Sequence, residues 1–265
     1  MKIAALYDIH GNLPALNAVI SELDQVQPDL IIVGGDIVAG PMPVQTLERL
    51  FQLKYPVKFI RGNNDREVVM IYDGKPLRSD MSEKGREKLE WVAKQLNSSH
   101  RDFLAQLPEH LIQSLNDSDR DILFCHATPT SDEDIFTPIT PKERLEKIFG
   151  EIAQPYVVCG HTHIQFEIQI NGIRIINAGS VGMPFAERSG AYWLLITPRG
   201  FEYKCTLYDL ENAANEIRAS QDPQAHDFAE KNVLTVPTPD QAMDMFERLR
   251  TKSTIPDSRT GRNAR

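Results

Sequence analysis

Seven side chains able to bind metal ions stand at or just beyond the ends of runs that read as strands. Oxygen and imidazole donors suit Mn, Fe, Zn, Co or Ni better than an ion that prefers thiolates, and seven protein ligands are too many for one such ion. If one carboxylate bridges, each of two ions receives about four protein ligands and keeps room for water. The sequence therefore predicts a two-metal hydrolytic site, for which we favour Mn²⁺, with Fe, Zn, Ni, Co or Mg as alternatives. The seven residues are Asp8, His10, Asp36, Asn63, His126, His161 and His163.

The elements that must position these groups alternate between strand and helix in the first third of the chain. The apolar runs "KIAALYD", "LIIVGGD" and "VKFIRG" predict strands, with helices over 12–25 and 43–53 between them. Nearly continuous apolar strands indicate a sheet that is covered on both faces. By the right-handed crossover rule, the carboxyl ends of such strands meet at one edge, where open α/β folds place ligands.

Later segments predict a charged helical region over 79–107 and then a β-rich, largely antiparallel half. Asn171-Gly172 and Pro198-Arg199-Gly200 each separate two alternating apolar segments, which indicates hairpins. We expect one domain of two packed sheets over 1–210 and a helical extension over 211–252. Within that extension a helix to about residue 220, a polar segment and a short helix near 240–250 are expected. Residues 253–265 are expected to be disordered.

Composition excludes several classes of function. The 265-residue chain has a formal net charge of −8 and no basic block, which argues against binding to duplex nucleic acid or an anionic membrane and favours a small ligand or a cation. Three widely spaced cysteines make a disulfide framework improbable. The N-terminal apolar run is too short for a signal-peptide core, so we expect a cytoplasmic protein.

The order of the motifs D-x-H, G-D, G-N-x-D, H and G-H-x-H resembles that of the calcineurin-like metallophosphoesterases, from residue 1 to about residue 210. "DIHGNLPAL", "NAGSVGMP" and the helices "WVAKQL" and "FLAQLP" resemble the small prokaryotic phosphodiesterases and dinucleoside-tetraphosphate hydrolases of that superfamily. The resemblance implies an α/β fold, a four-layer αββα sandwich of two mixed sheets flanked by helices. It also implies that Asp8, His10 and His163 hold one metal, that Asn63, His126 and His161 hold the other, and that Asp36 bridges.

One position departs from the family pattern. A histidine that contacts substrate and protonates the leaving oxygen commonly follows the amide ligand, with the next acid orienting it; here these catalytic positions hold Asn64 and Asp65. An amide supplies no net proton, so general-acid help of about 10²–10⁴-fold is lost from this position. We therefore expect pyrophosphate linkages and aryl esters to be better substrates than alkyl phosphomonoesters. Asn64 can still bind a phosphoryl oxygen, or it is only a turn residue.

Several other residues keep two interpretations. Asn12 is an N-cap or a substrate contact, and Gly179 to Gly182 form a phosphate-facing loop or a tight turn. Arg61 and Arg66 either compensate for the phosphate-clamping arginine of related protein phosphatases, which is missing here, or carry ordinary surface charge. The remaining histidines, outside any such motif, are expected to be solvated or structural; they are His100, His110 and His226.

The sequence thus predicts a dinuclear phosphohydrolase that cleaves phosphodiester or phosphoanhydride bonds of small nucleotide-like substrates by attack of a metal-bridging hydroxide. Its expected partner is a small phosphorylated substrate. A Ser/Thr protein phosphatase is one alternative, weakened by Asn64 and the missing arginine. A non-catalytic scaffold of the same fold is another, against which the complete ligand set speaks, because such buried polar groups are costly without metal.

Overall fold

The computed structural model describes residues 1–79, 81–115 and 121–253. The elements within these ranges alternate as predicted in the first third and become β-rich in the second half. They are β1 Ile3–Leu6, α1 Leu13–Val26, β2 Leu30–Val33, α2 Pro43–Phe51, β3 Val57–Phe59, α3 Asn63–Tyr72, α4 Glu83–Gln95, α5 Ser98–Ala105, β4 His110–Ser114, β5 Asp121–Cys125, α6 Lys142–Phe149, β6 Tyr156–Cys159, β7 Gln165–Ile170, β8 Ile173–Ala178, β9 Ala191–Thr197, β10 Gly200–Thr206, α7 Leu210–Arg218, α8 Ala225–Ala229, a π-helical turn Glu230–Leu234, and α9 Pro239–Ser253.

The strands form two five-stranded sheets, in the orders β10-β9-β1-β2-β3 and β4-β5-β6-β8-β7. Strands β1, β2 and β3 are parallel, with Ile3 opposite Leu30, so their carboxyl ends share one edge. Both predicted hairpins are present, and Asn171 and Gly172 supply the left-handed residues of the β7–β8 turn, with φ of 48° and 83°. The expectation of a largely antiparallel second half is wrong for β5, β6 and β8, which are mutually parallel. The crossover through α6 returns the chain in the same direction.

An apolar layer joins the two sheets face to face. Tyr7 is fully buried in it, and its hydroxyl donates to the Val158 carbonyl of the opposite sheet at 2.9 Å. Helices α1, α2, α4 and α5 cover the outer face of the first sheet, and α6 and α9 cover the outer face of the second. The predicted α/β sandwich of four αββα layers is thereby confirmed. The layer between the sheets contains Ile3, Ala5, Tyr7, Leu30, Ile32, Ile60, Leu115, Ile122, Phe124, Val158, Ile176, Ala178, Leu194 and Ile196.

The segment after β10 packs back onto this sandwich. The expected polar stretch between its two helices is itself helical, comprising α8 and the π-helical turn, because Phe228 and Val233 find an apolar cluster with Ile217. In α9, Ala242 and Phe246 pack on the second sheet. The division at residue 210 stays a prediction, and residues 254–265 of the expected tail lie outside the described residues. No helix of the described ranges has the length and apolarity to cross a membrane.

Candidate metal centre

The parallel strands bring the predicted ligands to one edge of the sandwich. Asp8 and His10 follow β1, Asp36 follows β2, and Asn63 begins the helix after β3. In the second sheet, His126 follows β5, while His161 and His163 follow β6. Because the two sheets face each other, the loops after their parallel strands meet over the same edge.

The backbone at these positions is unusual. Seven non-glycine residues of the described ranges have positive φ, and five of them are predicted ligands. An L-residue in the left-handed region is strained unless the surrounding structure holds it there, and such residues concentrate at functional sites. The five φ values lie between 48° and 66°, at Asp8, His10, Asp36, His161 and His163.

Asp8 lies at the middle of the cluster. Its Oδ1 atom is 3.3 Å from Nε2 of His163, 3.8 Å from Nε2 of His126 and 3.9 Å from Nε2 of His10. Its Oδ2 atom accepts the backbone N–H of His161 at 2.9 Å. The carboxylate is fully buried, so a cation is the natural complement to its charge.

Asp36 faces both halves of the cluster. Its Oδ2 atom is 3.6 Å from Nε2 of His10, and its Oδ1 atom is 3.7 Å from Nε2 of His126. The two groups of acids and histidines with atoms close enough for one ion are Asp8, His10 and His163, and Asp8, Asp36 and His126. Asp8 belongs to both groups, whereas Asp36 belongs to one of them. The remaining two predicted ligands, His161 and Asn63, lie next to this set. The ring centroid of His161 is 5.2 Å from that of His126. Asn63 directly precedes Asn64, and the backbone N–H of Asn64 donates to Asp36.

Backbone carbonyls orient three of the histidines. Nδ1 of His10, His126 and His163 lies 3.3, 2.9 and 2.8 Å from the carbonyl oxygens of Ala39, Gly34 and Met183. Because a carbonyl only accepts, Nδ1 is the donor in each contact, and in the neutral imidazole Nε2 then presents its lone pair to the cluster. This is the arrangement of a metal-ligating histidine.

Three atoms of the cluster are buried without a hydrogen-bond partner in the described part of the chain: Oδ1 of Asp8, Oδ1 of Asn63 and Nε2 of His126. All three are lone-pair donors, and leaving them unpaired costs free energy. Divalent cations at this edge would satisfy them. The residues present therefore fit a metal centre.

Burial and mutual charge also suit cations. Burial lowers the pKa of His10 well below its usual value and that of His161 to about 3, so both imidazoles are neutral. Burial raises the pKa of Asp36. Burial would raise the pKa of Asp8, but electrostatic interactions and hydrogen bonding with neighbouring histidines, led by His163, lower it. The neutral imidazoles of His10 and His161 are in the form that binds a divalent ion.

A family comparison agrees with this geometry. The model of the calcineurin-like phosphoesterase superfamily domain matches residues 1–199. The chain belongs to this superfamily. It is therefore a metal-dependent phosphoester hydrolase, and the membership expected from the motif order is confirmed.

Several proteins similar to this phosphoesterase cover between 74% and 89% of its chain. An uncharacterised protein of Methanocaldococcus jannaschii is 27% identical over 242 residues, covering 84% of this chain and 94% of its own. Phosphodiesterase YfcE of Escherichia coli is 24% identical, covering 74% and 87%. A solved metallophosphoesterase from Sphaerobacter thermophilus has a TM-score of 0.69 at 25% identity, covering 89% and 99%. A hypothetical protein from Pyrococcus horikoshii shares the fold at a TM-score of 0.76 and 19% identity, covering 89% and 99%. The match to the Escherichia coli phosphodiesterase confirms the small prokaryotic branch.

The position at which this phosphoesterase departs from the family pattern lies beside Asp36. The Asn64 backbone N–H donates to Oδ1 of Asp36 at 2.9 Å, and its side-chain amide donates to Oδ2. Asp65 is fully buried and points away, its oxygens accepting the N–H groups of Ile37 at 2.9 Å and Gly62 at 3.1 Å. Asn64 thus contacts Asp36, a predicted ligand, while Asp65 joins the loop after β2 to the start of α3. Their catalytic roles stay predictions.

Asn12 and the Gly179–Gly182 segment support the site from behind. The Asn12 side chain is buried, accepts from Ala15 N–H at 3.2 Å and donates to the Gly182 carbonyl at 2.9 Å, which favours the N-cap interpretation. The N–H groups of Val181 and Gly182 donate to the carbonyls of Tyr7 and Asp8. These amides hold the β1 loop, which favours the turn interpretation.

Sequence reasoning missed Asn177. Its side-chain amide donates to the Gly160 carbonyl at 2.6 Å and to the Thr162 hydroxyl at 3.1 Å, while its oxygen accepts Gly179 N–H at 2.9 Å. The residue therefore fixes the loop that carries His161 and His163. An amide inside an apolar strand, "RIINAG", is the signal that could have found it.

The two arginines near Asn64 are bound to carboxylates. Arg66 makes a two-pronged contact with Asp132 at 2.8 and 3.0 Å, and Arg61 binds Glu109 at 2.8 Å. These contacts favour the structural interpretation over a phosphate clamp, since Asp132 fastens the loop after His126 to α3. The other histidines lie outside the cluster: His110 and His226 are exposed, and the buried His100 accepts from Asn97 N–H.

Proposed function

We propose that the chain is a dinuclear phosphohydrolase of small nucleotide-like substrates, cleaving phosphodiester or phosphoanhydride bonds. The observation that carries the proposal is the buried cluster at the sheet edge, with three lone-pair atoms unpaired among described residues and two carboxylates each facing more than one histidine. One ion would satisfy only part of this set. The phosphodiesterase activity named for the Escherichia coli relative supports the substrate class.

The chain's residues would hold and orient the reacting groups. Asp8, His10 and His163 would hold one ion, Asn63, His126 and His161 the other, and Asp36 would contact both. When bound, two divalent ions would activate water as the nucleophile and outweigh the charge of the carboxylates, which attracts phosphate. The Asn64 amide would then donate to a phosphoryl oxygen instead of Asp36. It would not deliver a proton to the leaving oxygen.

Residue 64 has no acidic proton to give to the leaving group, and this determines the expected substrate preference. A phosphate or an aryloxide departs as a stable anion, whereas an alkoxide needs protonation. Among the described residues near Asn64, the adjoining carboxyl of Asp65 is engaged with two backbone N–H groups and points away from the centre. Phosphoanhydrides and aryl esters are therefore the expected substrates.

A Mn²⁺-loaded enzyme panel tests this proposal. Elemental mass spectrometry should find two bound metal ions per chain. The enzyme should turn over phosphoanhydrides and phosphodiesters faster than alkyl phosphomonoesters. A preference for alkyl monoesters would contradict the argument from Asn64. Efficient dephosphorylation of a phosphoserine peptide would instead indicate a protein phosphatase. Fewer than one bound ion, with no activation by Mn²⁺, would indicate a scaffold.

Asn64→His is expected to change the leaving-group dependence. The imidazole would supply the missing acid, so turnover of glycerol phosphate should rise by about 10²-fold, and that of p-nitrophenyl phosphate by less than about threefold. Both substrates are monoesters and differ in the leaving group. Asn64→Gln, which changes size without adding an acid, is the control. Equal changes on both substrates would remove residue 64 from the chemistry.

A further inference from the structure

The Lys88 ammonium lies between α4 and the C-terminal extension, without an ion pair among the residues that the structure describes. Within the described ranges, Lys88 makes no hydrogen bond or salt bridge, although it is partly buried. Its Nζ atom lies over the Phe228 ring, 5.5 Å from the centroid. One turn earlier, Lys84 is paired with Asp227 and its carbonyl accepts from Gln224. The extension thus holds this face of α4 in place but leaves the Lys88 charge unpaired.

The direction of α4 places Lys88 at the metal-binding end of the sandwich. Arg78, before α4, lies 3.5 Å from Glu67 on the second turn of α3. At the other end, Ile71 of α3 and Ala93 of α4 line one cavity. The two helices therefore run in about the same direction. Since α3 begins with the predicted ligand Asn63, the first half of α4 lies toward the metal centre.

Electrostatic effects agree with that placement. Burial lowers the pKa of Lys88, against the opposing effects of the Asp222 and Asp36 carboxylates. The Lys88 ammonium therefore lies within the field of the Asp36 carboxylate of the cluster. A cation kept partly buried without an ion pair is costly, which an anionic ligand would offset.

Space for the rest of a ligand adjoins the same helix face. A cavity of about 570 Å³ is lined by Trp91 and Gln95 of α4, residues 41–45, and residues 216 and 219–221. Its 41–45 wall adjoins the site, because Met42 N–H donates to the Gly11 carbonyl next to His10. Lys88 is one turn before Trp91 on α4, so it lies nearer the start of the helix than the residues that line this cavity. A substrate longer than one phosphate has room there.

We propose that Lys88 binds a second phosphate of the substrate, outside the metal centre, so that chains of two or more linked phosphates are preferred. The inference rests on the proposed function and narrows it to phosphoanhydride substrates. It also gives the C-terminal extension a role, because Phe228 contacts Lys88 and Asp222 lies nearby. Lys88 is then a positioning residue that acts on binding and not on the bond that breaks.

The test compares Lys88→Met with Lys84→Met in the full-length Mn²⁺-loaded protein. Methionine keeps an unbranched stem and removes the charge. With a dinucleoside polyphosphate, we expect Lys88→Met to raise KM by about 10- to 100-fold, the range of a charge-assisted hydrogen bond, with kcat nearly unchanged. With the p-nitrophenyl ester of thymidine monophosphate, which has one phosphate, KM should stay within about threefold. Lys84→Met should change neither, and Lys88→Arg should restore most of the loss.

Calorimetric binding of inorganic tripolyphosphate gives a second readout that needs no turnover. We expect Lys88→Met to bind it at least about tenfold more weakly than the natural chain and Lys84→Met to bind it equally. Equal losses on both substrates, or unchanged tripolyphosphate binding, would overturn the role of Lys88. Failure of the proposed function looks different: the natural chain would cleave neither substrate with Mn²⁺, and calorimetry would still decide on Lys88.

Discussion

Asp36→Asn is expected to lower kcat/KM by about 10³-fold or more and to reduce the bound metal from two ions per chain to one or none. The carboxylate is buried, and its two oxygens face His10 and His126 at 3.6 and 3.7 Å. An amide offers one neutral oxygen in place of two charged ones, so it cannot serve both sides. Lewis-acid stabilisation by a metal is worth several kcal/mol, which corresponds to this loss in rate.

Metal content and rate should be measured together on variants shown to fold by circular dichroism. Asp24→Asn is the matched control, because that carboxylate is exposed and pairs only with Lys54 and Tyr55 among its described neighbours. It should keep both ions and full activity. An Asp36→Asn enzyme that binds two ions and retains activity within about tenfold would show that Asp36 is not shared between two metals.

Strand order explains why so much of this centre follows from sequence. The position of a residue just after a parallel strand is nearly fixed, because the sheet register determines where the strand ends. Asp8, Asp36 and His126 each follow a buried strand, so locating the strands located the side chains. The mixed sandwich was expected from the resemblance, and the hairpin at Asn171 from local turn chemistry.

Other features depend on contacts between distant segments, which no local pattern records. The shared position of Asp8 arises only when the loops after β5 and β6 meet the loop after β1. Asn177 of β8 and Ser180 just after it donate to Gly160, Thr162 and Asp8, which lie 15 or more residues away in the sequence. The helical turn at Glu230–Leu234 forms in a polar stretch because Val233 packs on α7.

Asn64 is a single residue whose contacts could not be predicted from the sequence. The sequence identifies an amide in place of an imidazole, and chemistry predicts the lost acid. Only the fold shows that the amide side chain donates to Asp36 while the neighbouring carboxyl of Asp65 turns to the backbone. Two adjacent residues of one motif therefore have different roles. Asn64 contacts Asp36 of the candidate metal centre, and Asp65 stabilises the backbone around that centre.

Asp65→Ala is expected to lower the free energy of unfolding by about 3 kcal/mol, because two buried backbone N–H groups lose their acceptor. The carboxylate joins Ile37, after β2, to Gly62, before α3. Asp65→Asn keeps one acceptor and should lose about half as much. Asp102→Ala, which removes an exposed carboxylate, is the control. Urea unfolding in EDTA separates this effect from metal binding, and a loss below about 0.5 kcal/mol would contradict the role.

The pH dependence of that loss is a sharper check. Burial, and then the Asp36 charge, raise the pKa of Asp65 from 3.8 to about 7. A carboxyl whose pKa is higher in the folded state contributes stability that is fully present below the unfolded value and is lost as pH rises through 7. The natural chain should therefore exceed Asp65→Ala in stability by more at pH 5 than at pH 8. A difference that stays constant or grows with pH would mean that hydrogen bonds to the ionised carboxylate outweigh its burial.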